Sequence, residues 1–303
     1  MLPRVGVVFV VGSVNADVAL PVAQLPVAGS TILAGPPVRS GGGKGANASV
    51  AAARDGVEER LVAAVGADAE GERSAAELEA DGVGTTSVAV LAEHATGLAM
   101  ICVDADGENF VVVAPGANAA LSAGLVREGL RDLRGGDVCV VNFEIPPEAV
   151  AAAAAVCRER GARLLVNASP VRPLPDALLA AAPILVINRG ELAQLAGIAE
   201  VVAAAEALLE RGCEALVVTL GAAGAHVFAD GRDEAVAPYP ARPVDTTGAG
   251  DTFTGVLAGA LAAGESLAPA ARRAAAAGAL STEGMGARTA MPDRGAIDRL
   301  LRA

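Results

Sequence analysis

The chain has 303 residues, which is enough for one large α/β domain with a smaller appendage, because a single hydrophobic core stops growing at about 250–300 residues. Hydrophobic residues make up 53% of the chain and aromatic residues only 2%. The core must therefore consist of aliphatic side chains and alanine, as is typical of a parallel sheet covered by helices. The net charge of −12 argues against general affinity for nucleic acid or anionic lipid.

Composition also bears on location. The four cysteines are widely scattered and lack the spacing of metal ligands, so we expect reduced core residues of a cytoplasmic protein. The apolar run 5–11 is far shorter than the ~20 residues that a membrane helix needs. We therefore expect no membrane partner, no nucleic-acid partner and no signal peptide.

The first third of the chain contains two segments that interrupt an α/β pattern. Residues 5–11 are β-branched and predict a buried strand, and the alanine-rich run 45–54 predicts a helix that leaves a glycine loop. Between them, residues 14–39 lack helical periodicity and carry several prolines, which indicates short strands and turns outside the main sheet. Residues 96–113 predict a hairpin with an Asp-Gly turn at 104–107.

The second half alternates regularly between strands and helices. This alternation predicts right-handed βαβ units in a largely parallel sheet. The predicted strands are 138–142, 163–167, 184–188 and 215–220. The predicted helices are 147–160, 201–211, 251–264 and 267–281.

Residues 245–255, with the sequence DTTGAGDTFTG, are the most informative segment. Free N–H groups at a helix N-terminus bind anions, and Gly248 and Gly250 would let a phosphate approach the backbone. Asp251 at the start of that helix is placed to accept a proton from a hydroxyl that attacks the phosphate. On this segment alone, Asp251 could equally be a helix N-cap.

Two further segments contain candidate ligand-binding groups. The glycine-rich stretch 41–47, GGGKGAN, opens a helix but lacks the spacing of a P-loop, so it could be a plain loop-to-helix turn. Asn15 and Asp17 follow the first strand and lie two residues apart, so on an extended segment both side chains would lie on one side and could bind neighbouring sugar hydroxyls. A solvated turn would explain the same pair.

In combination, these segments resemble the ribokinase-like (PfkB) carbohydrate kinases over nearly the whole chain. The matching segments occur in the order and at the spacing of that family: 12–17, 42–47, 114–118, 188–191, 219–224 and 245–255. The resemblance implies a largely parallel sheet flanked by helices, with a small β-sheet lid. It implies a main domain of residues 1–13, 41–95 and 116–303, and a lid of residues 14–40 and 96–115 that pairs with a second copy in a homodimer.

The implied activity is ATP-dependent phosphorylation of the terminal hydroxyl of a free sugar. D-ribose, giving D-ribose 5-phosphate, is the leading candidate. Deoxyribose, fructose and nucleosides are the alternatives within this fold, and a non-catalytic sugar-binding protein is the alternative of a different class. A nicotinamide-dependent oxidoreductase is disfavoured, since no G-x-G-x-x-G follows the first strand.

The resemblance also assigns roles to individual residues. Asp251 would be the catalytic base, beside an anion hole formed by Gly248, Ala249 and Gly250. The sugar-binding residues would be Asn15, Asp17, Gly43, Lys44, Asn47, Glu144 and Asp251. The residues at the ATP and its Mg²⁺ would be Asn188, Glu191, Thr219, Gly221, Gly224, Gly250 and Ala275.

A monovalent cation is implied beside the anion hole. The matching K⁺-binding positions are Asp245, Thr247, Ser281, Gly284, Gly286 and Ala290. Ala290 stands where this family often offers a serine hydroxyl, so we expect K⁺ activation with a weakened affinity. Other departures are Ala48 in place of a common glutamine, Asn167-Ala-Ser-Pro170 in place of Asn-Pro-Ala-Pro, and Ala275 in place of a polar residue near the base.

Overall fold

The computed structural model describes residues 5–303, so the first four residues of the predicted range 1–13 lie outside the described residues. Its strands, in chain order, are β1 Val8–Val11, β2 Asn15–Pro21, β3 Val38–Gly42, β4 Glu59–Gly66, β5 Gly84–Leu91, β6 Gly97–Val103, β7 Asn109–Ala114, β8 Val138–Asn142, β9 Arg163–Asn167, β10 Ile184–Asn188, β11 Ala215–Thr219, β12 Ala225–Ala229 and β13 Arg232–Val236. Its helices are α1 Lys44–Arg54, α2 Ala69–Ala80, α3 Ala123–Gly129, α4 Pro147–Arg160, α5 Asp176–Leu179, α6 Arg189–Ala196, α7 Val201–Glu210, α8 Ala249–Ala262, α9 Leu267–Ser281 and α10 Arg294–Arg302.

The main sheet has nine strands in the order β13-β12-β11-β10-β9-β8-β1-β4-β5. All neighbours pair in parallel except β11 with β12 and β12 with β13, which are antiparallel. Helices cover both faces, and the predicted fold class is confirmed. The antiparallel hairpin at one end was not predicted, because alternation of strands and helices indicates only parallel units.

Both faces of the central strands are buried, which explains their continuous runs of valine and isoleucine. In β1, Val8 and Val10 lie in the core layer packed by α1, α8 and α9, whereas Phe9 and Val11 lie in the layer on the opposite face. Alternate residues of a strand point to opposite faces, so one short strand supplies both layers. Packing in both layers holds the strands in place, and the polar residues of the site described below lie at the ends of these strands.

A second, four-stranded sheet has the order β3-β2-β6-β7. The predicted hairpin is present as β6 and β7, and Gly107 N–H donates to the Asp104 carbonyl in its turn at 3.2 Å. Strand β3 continues to Gly42, two residues beyond the predicted segment 14–40, because Gly42 pairs with Asn15. Every residue of β7 is exposed.

Predicted and observed boundaries differ mainly at the chain start and between residues 59 and 91. The first strand begins at Val8 rather than residue 5, because Gly6 N–H donates to the Ala262 carbonyl of α8 instead of joining the sheet. The unit β4–α2–β5 was not predicted, although all residues of β4 except Arg60 are buried. Within residues 5–303 no single helix is long and apolar enough to cross a membrane, and α6 with α7 reaches that length only across a 54° bend.

Candidate functional site

The candidate site lies at the carboxyl edge of the main sheet, where α/β proteins generally bind ligands. Strands β1, β8, β9, β10 and β11 all end at this edge, and α1 and α8 begin there. A cleft along it contains most of the predicted phosphate-side residues. It is lined by Lys44, Asn167, Ser169, Val186, Ile187, Asn188, Glu191, Thr219, Thr246, Gly248, Gly250 and Asp251.

Asp251 lies in the first turn of α8 and is only 5% exposed. Its Oδ2 accepts a hydrogen bond from Asn47 Nδ2 at 2.9 Å, and its Oδ1 accepts one from Asn167 Nδ2 at 3.3 Å. Lys44 Nζ lies 4.0 Å from Oδ1. Its three partners thus come from two other elements, α1 and β9, so Asp251 is not a simple N-cap of its own helix.

Burial and charge act in opposite directions on this carboxylate. Burial raises the pKa of Asp251 above its usual value, while Lys44 and the Asn47 hydrogen bond oppose that rise. Conversely, the negative charge of Asp251 raises the pKa of Lys44. A buried carboxylate of raised basicity, with a lysine ammonium 4.0 Å away, is suited to accept a proton from a hydroxyl.

Glycine occupies positions 248 and 250, before Asp251, for two different physical reasons. Gly248 has a φ of +77°, and a Cβ there would meet the Ala287 Cβ at 2.8 Å, so the fold itself requires glycine. Gly250 has ordinary backbone torsions, and no neighbouring atom of the described residues lies within 4 Å of where its Cβ would be. A side chain at position 250 would project into the cleft, which is the behaviour expected where a ligand approaches the backbone.

Glu144 is fixed from two sides. Its Oε2 accepts hydrogen bonds from the Ser13 hydroxyl at 2.5 Å and from the Lys44 backbone N–H at 3.2 Å. Asn15 is held by one hydrogen bond, which Asn118 Nδ2 donates to its Oδ1 at 2.8 Å. Glu144 is therefore oriented at the site rather than solvated freely, as an isolated loop acid would be.

Asp17 lies on β2 in the same pocket, and its Oδ1 is buried without a hydrogen-bond partner among residues 5–303. Burial raises the pKa of Asp17 from 3.8 to about 6; Arg288 lowers it, while Glu144 and Asp251 raise it further. A Cβ at Gly42 would lie 2.0 Å from Asp17 Oδ2. Glycine at position 42 therefore makes room for this carboxylate.

The backbone requires glycine at position 43, because its φ is +89° and a Cβ there would lie 2.7 Å from the Ser13 carbonyl oxygen. The predicted sugar-side residues Asn15, Asp17, Gly43, Lys44, Asn47 and Glu144 thus lie around Asp251.

On the other side of the cleft, Asn188 and Glu191 form a capping box at the start of α6. Asn188 Oδ1 accepts from Glu191 N–H at 2.9 Å, and Glu191 Oε2 accepts from Asn188 N–H at 3.0 Å. Thr219 ends β11 beside them. Ala275 is half-buried on α9 and packs against the hydrophobic core.

The predicted glycines of the next loop differ in their surroundings. Gly221 has a φ of +60° with open space around its Cβ position, whereas a Cβ at Gly224 would lie 2.2 Å from the Val236 carbonyl. The sequence interpretation attributed both glycines to ligand approach. For Gly224, the contact with β13 is already a sufficient reason.

Asp245 joins the two loops of the predicted cation site. Its Oδ1 accepts from Thr247 N–H at 2.9 Å and its Oδ2 accepts from Gly286 N–H at 2.8 Å. Although burial opposes ionisation, these hydrogen bonds lower the pKa of Asp245. Ser281 donates its hydroxyl to the Gly278 carbonyl.

The remaining positions of that loop offer backbone atoms or nothing polar. A Cβ at Gly284 would meet the Ala290 Cβ at 3.1 Å, and Ala290 contributes no side-chain oxygen. Within the described residues, no cluster of three or more His, Cys, Asp or Glu side chains could hold a metal ion. A cation here would depend on carbonyl oxygens and one carboxylate.

Sequence reasoning did not single out Asn167, Asn118 or Arg288. Asn118 ends the matched segment 114–118, and Asn167 ends a predicted strand and opens a segment noted as a departure, so both positions offered an available signal. Arg288 lies in a loop before α10, is 7% exposed, and donates to Asn47 Oδ1. Nothing in the local sequence distinguishes Arg288 from the other basic residues.

Comparison with known proteins confirms the family resemblance that the sequence motifs indicated. The model of the pfkB family carbohydrate kinases matches residues 7–294. The ribokinase of Haemophilus influenzae is 33% identical over 290 residues, covering 94% of this chain and 95% of that protein.

Two other relatives show how far the similarity extends. The bifunctional ribokinase/ribose-5-phosphate isomerase A of Fructilactobacillus sanfranciscensis is 35% identical over 298 residues, and the match covers 96% of this chain but 55% of that protein. This chain thus spans about half the length of that relative. The structure of Arabidopsis thaliana ribokinase complexed with ribose and ATP superposes with a TM-score of 0.90 at 31% identity, covering 99% of this chain and 100% of that one.

We predict that Asp17 titrates near pH 6 in the folded protein. Because its folded pKa is raised, its contribution to stability is fully present below 3.8 and is lost as pH rises through about 6. Asp17→Asn should remove that loss, which amounts to about 2–3 kcal/mol. Urea unfolding of both proteins across this pH range measures it, and parallel pH dependence of the two proteins would contradict the assignment.

Proposed function

We propose that this chain, which belongs to the pfkB family of carbohydrate kinases, transfers the γ-phosphate of ATP to the terminal hydroxyl of D-ribose, giving D-ribose 5-phosphate. The observation that carries the proposal is the Asp251 carboxylate, held between Lys44, Asn47 and Asn167 at the N-terminus of α8. The ribokinases among its relatives, one of them solved with ribose and ATP, support the choice of sugar.

The sugar would lie between β2 and the start of α1. Asp17 and Glu144 each offer a carboxylate oxygen to hydroxyl groups, and Asn15 and Asn47 offer amide groups. Several fixed polar groups in one buried pocket favour a polyhydroxylated ligand, because such groups left unpaired each cost about 1–3 kcal/mol.

In the reaction, Asp251 would accept the proton of the terminal hydroxyl while that oxygen attacks the γ-phosphorus. The bond between this phosphorus and the β,γ-bridging oxygen breaks, and ADP leaves. The N–H groups of Gly248 and Gly250 would stabilise the charge on the transferred group. The Ala249 N–H, which donates to the Thr246 carbonyl at 3.2 Å, would join them only by releasing that bond. Lys44 would balance the negative charges of Asp251 and the phosphate.

We propose that the nucleotide occupies the cleft beside Asn188, Glu191 and Thr219, with Gly221 and Gly224 at its phosphates or ribose and Ala275 near the base. Mg²⁺ would bind through the phosphate oxygens and water, with Glu191 as a carboxylate neighbour; it would supply charge neutralisation. The donor set fits such an ion, because one Glu191 oxygen is left outside the capping box.

The direct test is ADP release with ATP and Mg²⁺ across ribose, deoxyribose, fructose, tagatose and adenosine. Ribose should give the largest kcat/KM. Preference for another substrate would replace the proposed sugar while leaving the kinase activity. A protein that binds ribose by calorimetry but releases no ADP would instead be a non-catalytic sugar-binding protein.

Asp251→Asn should lower kcat by about 10²–10⁴, the usual contribution of a general base. ATP affinity should persist, because the proposed anion hole consists of backbone N–H groups. Single-turnover kinetics and ATP titration measure the two effects. A variant with near-parental kcat would show that Asp251 is not the base.

Gly250→Val should have the opposite effect to Asp251→Asn, because it should impair ATP binding. Since no described neighbour occupies the space at its Cβ, the variant should keep the parental unfolding midpoint while weakening ATP binding. A parental ATP affinity in this variant would contradict the placement of the phosphate at the start of α8.

We propose K⁺ activation at the site formed by Asp245, Thr247, Ser281, Gly284 and Gly286, with Ala290 supplying no ligand. The support is that Asp245 already ties both loops together, next to the Gly248 turn. A cation there would order the loop that carries the anion hole, and a large, weakly hydrated ion needs few charged ligands.

Sugar-dependent ADP formation should therefore be faster in K⁺ than in Na⁺ or a bulky organic cation at equal ionic strength. Asp245→Ala should abolish this difference, and its unfolding midpoint should be measured alongside to separate cation effects from loop damage. Equal rates of the parent in all three salts would exclude the site.

We propose that segments 14–40 and 96–115 act as a lid over the sugar and pair with the lid of a second copy, while the remaining residues form the main domain. The support is the exposed apolar strand β7, in which Phe110, Val111, Val112 and Val113 are 46–55% exposed. A second copy on this strand would cover both its edge and its apolar side chains.

Sedimentation should show a dimer for the parent and a monomer for Val112→Glu. Val90→Glu is the matched control, since Val90 is 65% exposed at the far edge of the main sheet and should leave the dimer intact. A monomeric parent, or dissociation by Val90→Glu alone, would argue against pairing through the lid.

We also propose a cytosolic location, with the sugar, ATP and a second copy of the chain as partners and no nucleic-acid or membrane partner. The four cysteines, Cys102, Cys139, Cys157 and Cys213, are free thiols, which supports a reducing compartment. The net charge of −12 supports the absence of nucleic-acid or membrane-surface binding. Measuring thiol content in protein purified under air, with and without reductant, tests the first point.

A further inference from the structure

Arg288 is a buried arginine in the loop between α9 and α10. Its Nε donates to Asn47 Oδ1 at 3.0 Å, and its Nη2 donates to the Gly42 carbonyl at 2.5 Å. Arg54, at the end of α1, holds the Arg288 carbonyl through an Nη1 hydrogen bond of 2.6 Å. Helix α1 therefore contacts this loop at both ends, and the guanidinium reaches the start of the helix.

Burying the Arg288 guanidinium costs free energy unless nearby groups compensate for the lost water. Burial lowers the pKa of Arg288, and the carboxylates of Asp17, Glu77 and Asp81 oppose that effect. Among residues 5–303, no carboxylate lies within 4.0 Å of its nitrogen atoms, and its Nη1 has no hydrogen-bond partner. A well-packed apolar side chain would generally be at least as stabilising in such a place.

The hydrogen bond to Asn47 determines which end of that amide faces Asp251. Because its Oδ1 accepts from Arg288, Asn47 must direct Nδ2 to the Asp251 carboxylate. Asn47 Nδ2 and Asp251 Oδ2 lie 2.9 Å apart. The second N–H of the same amide is left for a sugar hydroxyl. Arg288 thus acts on the reacting carboxylate through one intermediate side chain.

The hydrogen bond to Gly42 fixes the edge strand of the second sheet. Strand β3 has β2 on one side, and Arg288 contacts its last residues from the other. A Cβ at Gly41 would lie 2.1 Å from Arg288 Nη1. Glycine at position 41 is therefore explained by the guanidinium, just as glycine at position 42 is explained by Asp17.

We propose that Arg288 is a positioning residue for sugar binding, which joins the lid strand β3 to the Asn47–Asp251 pair. The inference rests on the proposed sugar kinase activity and deepens it. Losing Arg288 would free the Asn47 amide and the end of β3 together, so it would impair the sugar side of the site and leave the nucleotide cleft intact.

Arg288→Gln should raise the KM for D-ribose about tenfold to hundredfold, the equivalent of one hydrogen bond to a charged group. The KM for ATP should stay within about twofold. Since Arg288 lowers the pKa of Asp17, which Glu144, Asp251 and Arg73 also face, the pH midpoint for ribose binding should move upward in the variant. Calorimetric titration with ribose measures this without turnover.

Gly41→Ala provides a second route to the same contact. The added Cβ would displace the guanidinium, so the ribose KM should rise as in Arg288→Gln. In the double variant the two effects should add only in small part, because the closest collision, 2.1 Å from Arg288 Nη1, disappears with the arginine and leaves only the Glu77 Oε2 contact at 2.7 Å. Additive effects, or a parental ribose KM in Gly41→Ala, would overturn the proposal.

Free guanidinium ion distinguishes positioning from general stability. Millimolar guanidinium should partly restore ribose affinity to Arg288→Ala and should not affect Asn47→Ala. Arg273→Ala is the matched control: Arg273 pairs with Asp55 and Asp298 and does not contact Asn47, so this variant should lose stability with an unchanged ribose KM.

The outcomes separate two failures. If the parent neither phosphorylates nor binds ribose, the proposed function fails. If the parent is active and Arg288→Gln keeps the parental ribose KM and pH midpoint, the function stands and the role of Arg288 is refuted. If Arg288→Ala is insoluble, Gly41→Ala in the parent decides the question alone.

Discussion

Burial of the Asp251 carboxylate is the constraint on which the rest of the site depends. A carboxylate that is 5% exposed remains charged only if donors compensate for lost water, and three side chains do so here: Lys44, Asn47 and Asn167. The compensation is incomplete, since the pKa of Asp251 is still raised. That residual basicity is what suits the group to proton transfer, and stronger pairing would abolish it.

Meeting that constraint requires elements far apart in the chain to end at one place. Asn167 comes from the end of β9, Lys44 and Asn47 from the start of α1, and Asp251 from the start of α8. Parallel strands bring their carboxyl ends to one edge of the sheet. The backbone topology alone therefore brings these positions close together, whatever side chains they carry. Close packing of α1 against α8 then sets their separation: a Cβ at Gly255 would lie only 2.2 Å from the Ala48 carbonyl.

Much of this was predictable from sequence, and the reason is that the signals are local. Strands 138–142, 163–167 and 184–188 and helix 147–160 appear with the predicted limits, because buried runs and capping signals are read from neighbouring residues. Asp251 and the glycine loops were predicted for the same reason. Arg288 was not, because its significance arises from a contact with Asn47 across 241 positions of the chain.

The glycine run 41–43 shows where sequence reasoning reaches the right position with an incomplete reason. The pattern indicates a ligand loop, yet each glycine answers a different constraint: Arg288 at position 41, Asp17 at position 42, and a positive φ against the Ser13 carbonyl at position 43. Two of the three constraints are side chains distant in sequence. A glycine motif can therefore be set by the groups that hold a binding site together as well as by the ligand it admits.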